Sequence, residues 1–290
     1  MVRIVQVSDL HIEAEPETMF PGVGRVLEEA SEVIRALAPD LLVVTGDLTT
    51  FGSSRPRDLV LARQWLEQLD RPWVAIAGNH DLGSSPERAL RHPETEAYEP
   101  LPLARTHFGT VFGPQPVSAV DLGAVEVVAF NLRAGDPDNT LPAIRQAVEQ
   151  SAKPVILCGH YPLEPVRVGG PCSAEASQAT GSFLPELATL VQPLVAQYDH
   201  IRLYLAGHVH VNSRLPLSPH CLQLTTGGLG PGASSLRVFT VAQGWVRYDT
   251  LLGPGPQGFW ERVAPAMGPY PPAYHLGTSE EQGGEWRLEP

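Results

Sequence analysis

Two histidines, His208 and His210, stand two positions apart in the stretch LAGHVHVN. On extended backbone such residues project to the same side. Paired neutral imidazoles there can grip metal ions, whereas they gain little by packing on each other. The same residue types collect at four other points: SDLH supplies Asp9 and His11, TGD supplies Asp47, AGNHD supplies Asn79, His80 and Asp81, and CGH supplies His160. Taken singly, each has an ordinary reading as a helix cap, a turn or a surface histidine. Taken together they are carboxylates, an amide and imidazoles with no thiolate, a set suited to Mn, Fe, Co or Zn. Seven donors (Asp9, His11, Asp47, Asn79, His160, His208 and His210) are too many for one tetrahedral zinc. They fit two metals sharing a bridging carboxylate. Such a pair, about 3.5–4 Å apart, activates a water and clamps the oxygens of an in-line displacement at phosphorus. His208 and His210 can then each serve a different ion.

Each of these segments follows an apolar run. Val2–Val7, DLLVVTGD, PWVAIAG, KPVILCG and IRLYLAG read as strands, the continuous runs as strands buried on both faces. Between them, Val23, Val26, Leu27, Ala30, Ile34 and Leu37 recur at helical steps and Pro39 closes the run; Leu59, Ala62, Leu66 and Leu69 mark a second helix. Strand and helix in alternation predict a parallel sheet flanked by helices. In such sheets ligands bind outside the carboxyl ends of the strands, where these donors would converge. Gly46, Gly78, Gly159 and Gly207 each precede one of the polar residues and permit a tight turn at the strand end.

Further along, Val117–Leu122 and Val125–Phe130 predict a hairpin, LPAIRQAVEQ and Leu184–Gln197 helices, and Cys221–Thr226, Ser235–Thr240 and Trp245–Thr250 short strands. Gly227, Gly228 and Gly230 form the first break among those strands. Asp81–Pro116 is polar and irregular, the expected lid or side wall of a cleft that Tyr161–Ser182 also lines. The chain is expected to divide into one domain over 1–252 and a Pro/Gly-rich extension over 253–290 that wraps the surface, makes a dimer contact or lacks fixed structure. His92, His107, His200, His220 and His275 lie away from strand ends and are read as solvated or structural, with contact to substrate left open for His92 and His107.

The formal net charge of −12 disfavours a protein that holds nucleic acid on a broad basic surface. Anionic substrates remain open, because bound metal ions reverse the local field. Cys158, Cys172 and Cys221 show no C-x-x-C spacing, which argues against a disulfide framework or a structural zinc site. Cys158, inside VILCG, reads as a buried small hydrophobe. No apolar run approaches the roughly 18–20 residues of a membrane span, and MVRIVQVSDLH lacks the regions of a signal peptide. The expected location is cytoplasmic.

The ordered set DLH, GD, GNHD, GH and GHVH, spanning Asp9 to His210, resembles the calcineurin-like metallophosphoesterases. The resemblance implies an α/β fold, a four-layer α-β-β-α sandwich of two mixed sheets flanked by helices. It implies that Asp9, His11 and His210 bind one metal, that Asn79, His160 and His208 complete the second, and that Asp47 bridges both. The ions would be divalent or trivalent, Mn or Fe ahead of Zn or Co. A metal-bridging hydroxide would attack phosphorus, and His80 would protonate the leaving oxygen or steady the transition state.

Departures within the family narrow the expected substrate. Phosphoprotein phosphatases of this family carry GDxVDRG, whereas this chain reads GDLTTFG, with Thr50 and Phe51 in place of the Asp and Arg. Thr50 also stands where purple acid phosphatases have a metal-binding Tyr, and His80 stands where lipid A precursor hydrolases have Arg in GNRD. GDLT followed by GNHD most resembles the bacterial class III cyclic-nucleotide phosphodiesterases, which implies a hydrolase of small phosphodiesters, cyclic nucleotides among them. A DNA nuclease of the same superfamily is the alternative enzyme, disfavoured by acidity. A non-catalytic scaffold is the alternative from another class, disfavoured by the complete ligand set. Oligomeric state is open, a dimer included.

Overall fold

The computed structural model describes residues 1–14, 17, 19–82, 101–133, 135–166, 185–252 and 272–289. In chain order the first half contains β1 (Val2–Val7), α1 (Val23–Leu37), β2 (Leu41–Thr45), α2 (Pro56–Gln68), β3 (Trp73–Ile76), the single turn α3 (Asn79–Leu82), α4 (His107–Phe112), β4 (Val117–Asp121) and β5 (Glu126–Phe130). The second half contains α5 (Thr140–Gln150), β6 (Val155–Cys158), α6 (Pro185–Gln197), β7 (Ile201–Ala206), β8 (Ser213–Pro216), β9 (Leu222–Thr225), β10 (Ser235–Ala242) and β11 (Trp245–Leu252). The short elements α7 (Pro272–Leu276), α8 (Ser279–Gln282) and β12 (Gly283–Arg287) follow.

Among the described residues the strands form two six-stranded mixed sheets, ordered β12-β11-β10-β1-β2-β3 and β4-β5-β6-β7-β9-β8. β1, β2 and β3 run parallel, as do β5, β6, β7 and β9. The strands completing each sheet pair antiparallel. Alternation along the strands sets the layers. In β1 and β2, Ile4, Leu41 and Val43 enter the core between the sheets, while Val5, Val7, Leu42 and Val44 pack under α1 and α2 with Val26, Ile34, Leu59 and Leu66. In the second sheet, Ile156, Cys158, Leu203 and Leu205 face the first sheet; Leu157, Ile201 and Tyr204 face Ile144, Val148, Val191 and Leu194 of α5 and α6. Helix, sheet, sheet, helix is the four-layer sandwich. Cys158 lies in the inter-sheet core, where burial pushes its thiol far above the ordinary range.

Several particulars depart from the expectation. Within Asp81–Pro116, residues 83–100, and with them His92, lie outside the described residues. Leu103 and Phe108 are part of the core under α2 rather than a cleft wall. Thr106 caps α4 by accepting from the Gly109 N–H at 2.9 Å, and His107 at its start is exposed. Of Tyr161–Ser182, residues 167–182 lie outside the described set. β8 was not expected: it closes a hairpin on β9, with Ser213 opposite Thr225. From the extension over 253–290, β12 pairs along β11, Trp245 opposite Arg287, and Leu288 reaches the inter-sheet core. Among the described residues no helix is long and apolar enough to cross a membrane.

Candidate metal centre

The carboxyl ends of the parallel strands of both sheets meet along one seam, stitched by polar contacts. Gln6 Nε2 of β1 donates to the Ala206 carbonyl of β7 at 3.0 Å. The Ala77 N–H after β3 donates to Asn131 Oδ1 after β5 at 2.6 Å, and the His208 N–H after β7 donates to the Asp9 carboxylate after β1 at 3.0 Å. The seven predicted donors and His80 all lie at this seam. The first sheet brings Asp9, His11, Asp47, Asn79 and His80; the second brings His160, His208 and His210.

The turns that present them are tight. Asp9, His11, Asp47, His208 and His210 all have left-handed backbone, φ between 48° and 69°. Such conformations cost a non-glycine residue roughly 1–2 kcal/mol each, and strain of this kind concentrates at functional sites. His208 and His210 are therefore not the extended pair that their spacing suggests. They diverge into different clusters: Asp9, His11 and His210 converge at one point, and Asp47, His160 and His208 at another. Asp47 also groups with His11 and His80, so its carboxylate stands between the two. Asn79 Oδ1 lies 3.1 Å from His160 Nε2, which brings the amide to the second cluster.

The tautomers are set from behind. His160 Nδ1 bonds the Thr45 carbonyl at 2.8 Å, His210 Nδ1 the Pro231 carbonyl at 3.0 Å, and His80 Nδ1 the Thr50 carbonyl at 2.9 Å. A carbonyl only accepts, so each of these Nδ1 atoms carries a proton, and Nε2 of His160 and His210 faces the seam. There, potential ligand atoms crowd together. His160 Nε2 faces Asn79 Oδ1 at 3.1 Å and Asp47 Oδ2 at 3.4 Å. His210 Nε2 faces His11 Nε2 at 3.4 Å and Asp9 Oδ1 at 3.4 Å. His11 Nδ1 is buried without a hydrogen-bond partner. Ligand atoms this close would hold cations between them, and hard and borderline donors without thiolate fit Mn, Fe, Co or Zn. The residues present fit a metal pair.

Electrostatics agree with the geometry. Burial, and after it His80, hold the His11 imidazole well below its ordinary value. Burial by itself would lift Asp47, but His160 and His80 hold its carboxyl well below the usual range. Burial would likewise lower His160, yet Asp47 carries it up to about 9. Burial raises Asp9, against the pull of His210. Asp81 is set apart. Its buried carboxylate accepts from Leu48 N, Thr49 N, Thr49 Oγ1 and Gly78 N at 2.7–3.0 Å, binding the GD turn to the GNH turn. Burial and the nearby Asp47 push it up to about 7.

Sequence reasoning missed the residues that hold the ligands. The segment 226–235 runs alongside the site: Leu229 N donates to Ser8 O at 2.9 Å, Gly230 N to Asp9 O at 3.1 Å, and Pro231 O receives His210. Its glycine density was the available signal. A Cβ on Gly228 would lie 2.2 Å from Pro231 O and 2.7 Å from His210 Nδ1. His275, read as solvated or structural, is buried against the backbone of His210. Two aromatic rings flank the donors: Phe20 sits edge-on to His11 at 5.0 Å, and Tyr161 lies 4.6 Å from His208.

Known proteins resemble this chain. Residues 2–212 match the family model described as calcineurin-like phosphoesterase. A probable cyclic nucleotide phosphodiesterase of Synechococcus is 30% identical over 72% of this chain and 73% of its own length. A probable glycerophosphodiester phosphodiesterase of Arcobacter nitrofigilis is 25% identical over 71% of each chain. The 3',5'-cyclic adenosine monophosphate phosphodiesterase of Escherichia coli is 25% identical over 84% of this chain and 83% of its own. Among solved structures, a dimetal phosphatase from Danio rerio superposes with a TM-score of 0.57 at 12% identity, covering 86% of this chain and 95% of its own, a likeness of fold. With the family match covering every motif from Asp9 to His210 and the sandwich in place beneath them, the chain belongs to the calcineurin-like phosphoesterases.

Proposed function

We propose that this protein is a phosphodiesterase that holds two metal ions in the seam between its sheets and hydrolyses small phosphodiesters, cyclic nucleotides among them. The observation that carries the reading is the convergence of buried ligand atoms from the two sheets, Asp9 and His11 with His210, and Asp47 with His160 and His208. In this reading Asp9, His11 and His210 hold one ion, Asn79, His160 and His208 the other, and Asp47 both. Mn or Fe is the expected metal. Two such ions supply Lewis acidity toward the phosphoryl oxygens and make a water nucleophilic at neutral pH.

The chain's own contribution is orientation and proton transfer. His80 is held from two sides: its N–H donates to Asp47 Oδ1 at 2.8 Å, and its Nδ1 bonds the Thr50 carbonyl. A second proton taken up at Nε2 leaves the Thr50 bond intact, so the ring can pass that proton to a leaving alkoxide without turning. The names of the Synechococcus, Arcobacter and Escherichia relatives support diesters as the substrate class.

Hydrolysis of a chromogenic phosphodiester and its matched monoester, with Mn²⁺ supplied and Asp47→Ala as control, tests the reading. The expected result is diester turnover that vanishes in the variant, followed by turnover of cyclic nucleotides. A metal-loaded wild type that turns over neither ester overturns it.

A further inference from the structure

The family match ends at residue 212, yet the backbone around the HVH turn is held by a segment sixty residues further along. His275 Nδ1 bonds the carbonyl of His210 at 3.0 Å, and the N–H of Asn212 donates to the carbonyl of His275 at 2.9 Å. One residue of α7 therefore brackets the turn with a donor and an acceptor. His275 is 2% exposed. Its neighbour Tyr274 packs on Val209, Val211 and Val166, and Val209 and Val211 alternate with His208 and His210 in sequence.

The approach is close. A Cβ on Gly277 would lie 2.7 Å from Asn212 O, and Gly277 has φ +79°. The segment is anchored behind by a capping box between Thr278 and Glu281, by Gln282 Nε2 donating to the Gly277 carbonyl at 3.1 Å, and by β12 along β11. The bracket continues through Asn212, whose Oδ1 accepts from Gly227 N at 2.9 Å and whose Nδ2 donates to Ser235 Oγ at 3.1 Å. Those contacts reach the glycine-rich loop whose Pro231 carbonyl holds His210 Nδ1. His210 is thus fixed at its ring by one loop and at its carbonyl by another.

We infer that the C-terminal segment is a clamp on the metal-ligand turn and that His275 is a positioning residue for His210, holding its left-handed backbone in the conformation that aims Nε2 at His11 and Asp9. The inference rests on the reading of His210 as a metal ligand. Removal of a group that orients a ligand from behind typically weakens metal binding about 10–100-fold.

The test uses the full chain as wild type, His275→Ala and His275→Asn, the asparagine amide keeping an N–H donor near the position of Nδ1. Mn²⁺ titration followed by the paramagnetic resonance of the free ion, with thermal unfolding of the metal-free proteins, is the first readout. The second is amide hydrogen exchange across 208–213 in the metal-free state. The expected result is Mn²⁺ affinity weakened about tenfold or more in His275→Ala, recovered in His275→Asn, with faster exchange in the turn of the alanine variant only. Wild-type Mn²⁺ affinity in His275→Ala overturns the clamp. So does an asparagine variant as weak as alanine, with both losing thermal stability equally, which is packing alone. If the wild type itself binds no Mn²⁺, the metal reading falls and exchange decides the clamp: faster exchange upholds it and unchanged exchange overturns it.

Discussion

At the scale of single residues the site is a set of potential ligand atoms turned inward, with the Nδ1 protons of His80, His160 and His210 turned outward onto carbonyls. His80 differs from the other imidazoles in its assignment, since its proposed task is proton transfer. His80→Ala is therefore expected to lower kcat for the chromogenic diester by roughly 10²–10⁴-fold while metal content by elemental analysis stays that of the wild type. Loss of metal along with activity would make His80 a ligand instead, as its grouping with His11 and Asp47 allows. His160 sets the pH dependence. In the metal-free protein Asp47 carries it, against burial, from 6.5 up to about 9, so at neutral pH the ring holds a proton that an arriving cation must displace. Mn²⁺ affinity should rise from pH 6.5 toward 9, with proton release on binding, measured by titration calorimetry in buffers of different ionisation enthalpy. The sign for stability is opposite. A base whose folded value is raised stabilises the fold fully below its unfolded value, and that contribution is lost as pH climbs through about 9. The metal-free protein is accordingly expected to unfold at lower temperature at pH 9 than at pH 6.5.

At the scale of elements, the loops behind the ligands matter as much as the strands before them. Gly228→Ala puts a methyl 2.2 Å from Pro231 O and 2.7 Å from His210 Nδ1, which breaks the bond that aims His210. It is expected to cost about 1–3 kcal/mol in overpacking and to reduce bound metal. Gly123→Ala is the control: φ there is +81° with nothing within 4 Å, so it should cost stability through backbone strain and leave metal content alone. Retained wild-type metal in Gly228→Ala would show that the loop does not hold His210. The same elements show what sequence could and could not reveal. Strands such as Leu41–Thr45, buried on both faces, announce themselves as apolar runs ending in glycine and a donor, and the eight residues that the seam brings together were legible from that position. The supports were not, because they act through backbone carbonyls, and Thr45, Thr50 and Pro231 offer no side-chain signature for that role. Helix α4 was hidden by its length of six residues and its central Gly109, which is there because a Cβ would strike Leu103 O at 1.9 Å. His275 was hidden because its partner is sixty-five residues away and belongs to the main chain.

At the scale of the whole molecule, the centre lies where two sheets meet, with carboxylates from the first and imidazoles from both. Without cations, the seam sets His160 Nε2 beside Asn79 Oδ1 and holds five left-handed residues, Asp9, His11, Asp47, His208 and His210, in place by surrounding contacts. In the proposed reading, cations shared across it would tie Asp9 and His11 of one sheet to His210 of the other, and Asp47 to His160 and His208. Ligands that bind only the folded state stabilise it by mass action, about 4 kcal/mol at a thousand times the dissociation constant. For a chain of this size a gain of 1 kcal/mol moves the midpoint by about 2 °C, so saturating Mn²⁺ should raise Tm over the EDTA-treated protein by about 8 °C. Asp47→Ala should erase most of that difference, since it removes the carboxylate that groups with His160 and His208 on one side and with His11 and His80 on the other. Gly123→Ala should keep it, shifting both midpoints together. An EDTA-treated wild type that melts with the Mn²⁺-loaded one would mean that the seam is held by hydrogen bonds such as those of Gln6, Asn131, Asp9 and His160, and that the donors face one another without a metal to bind them.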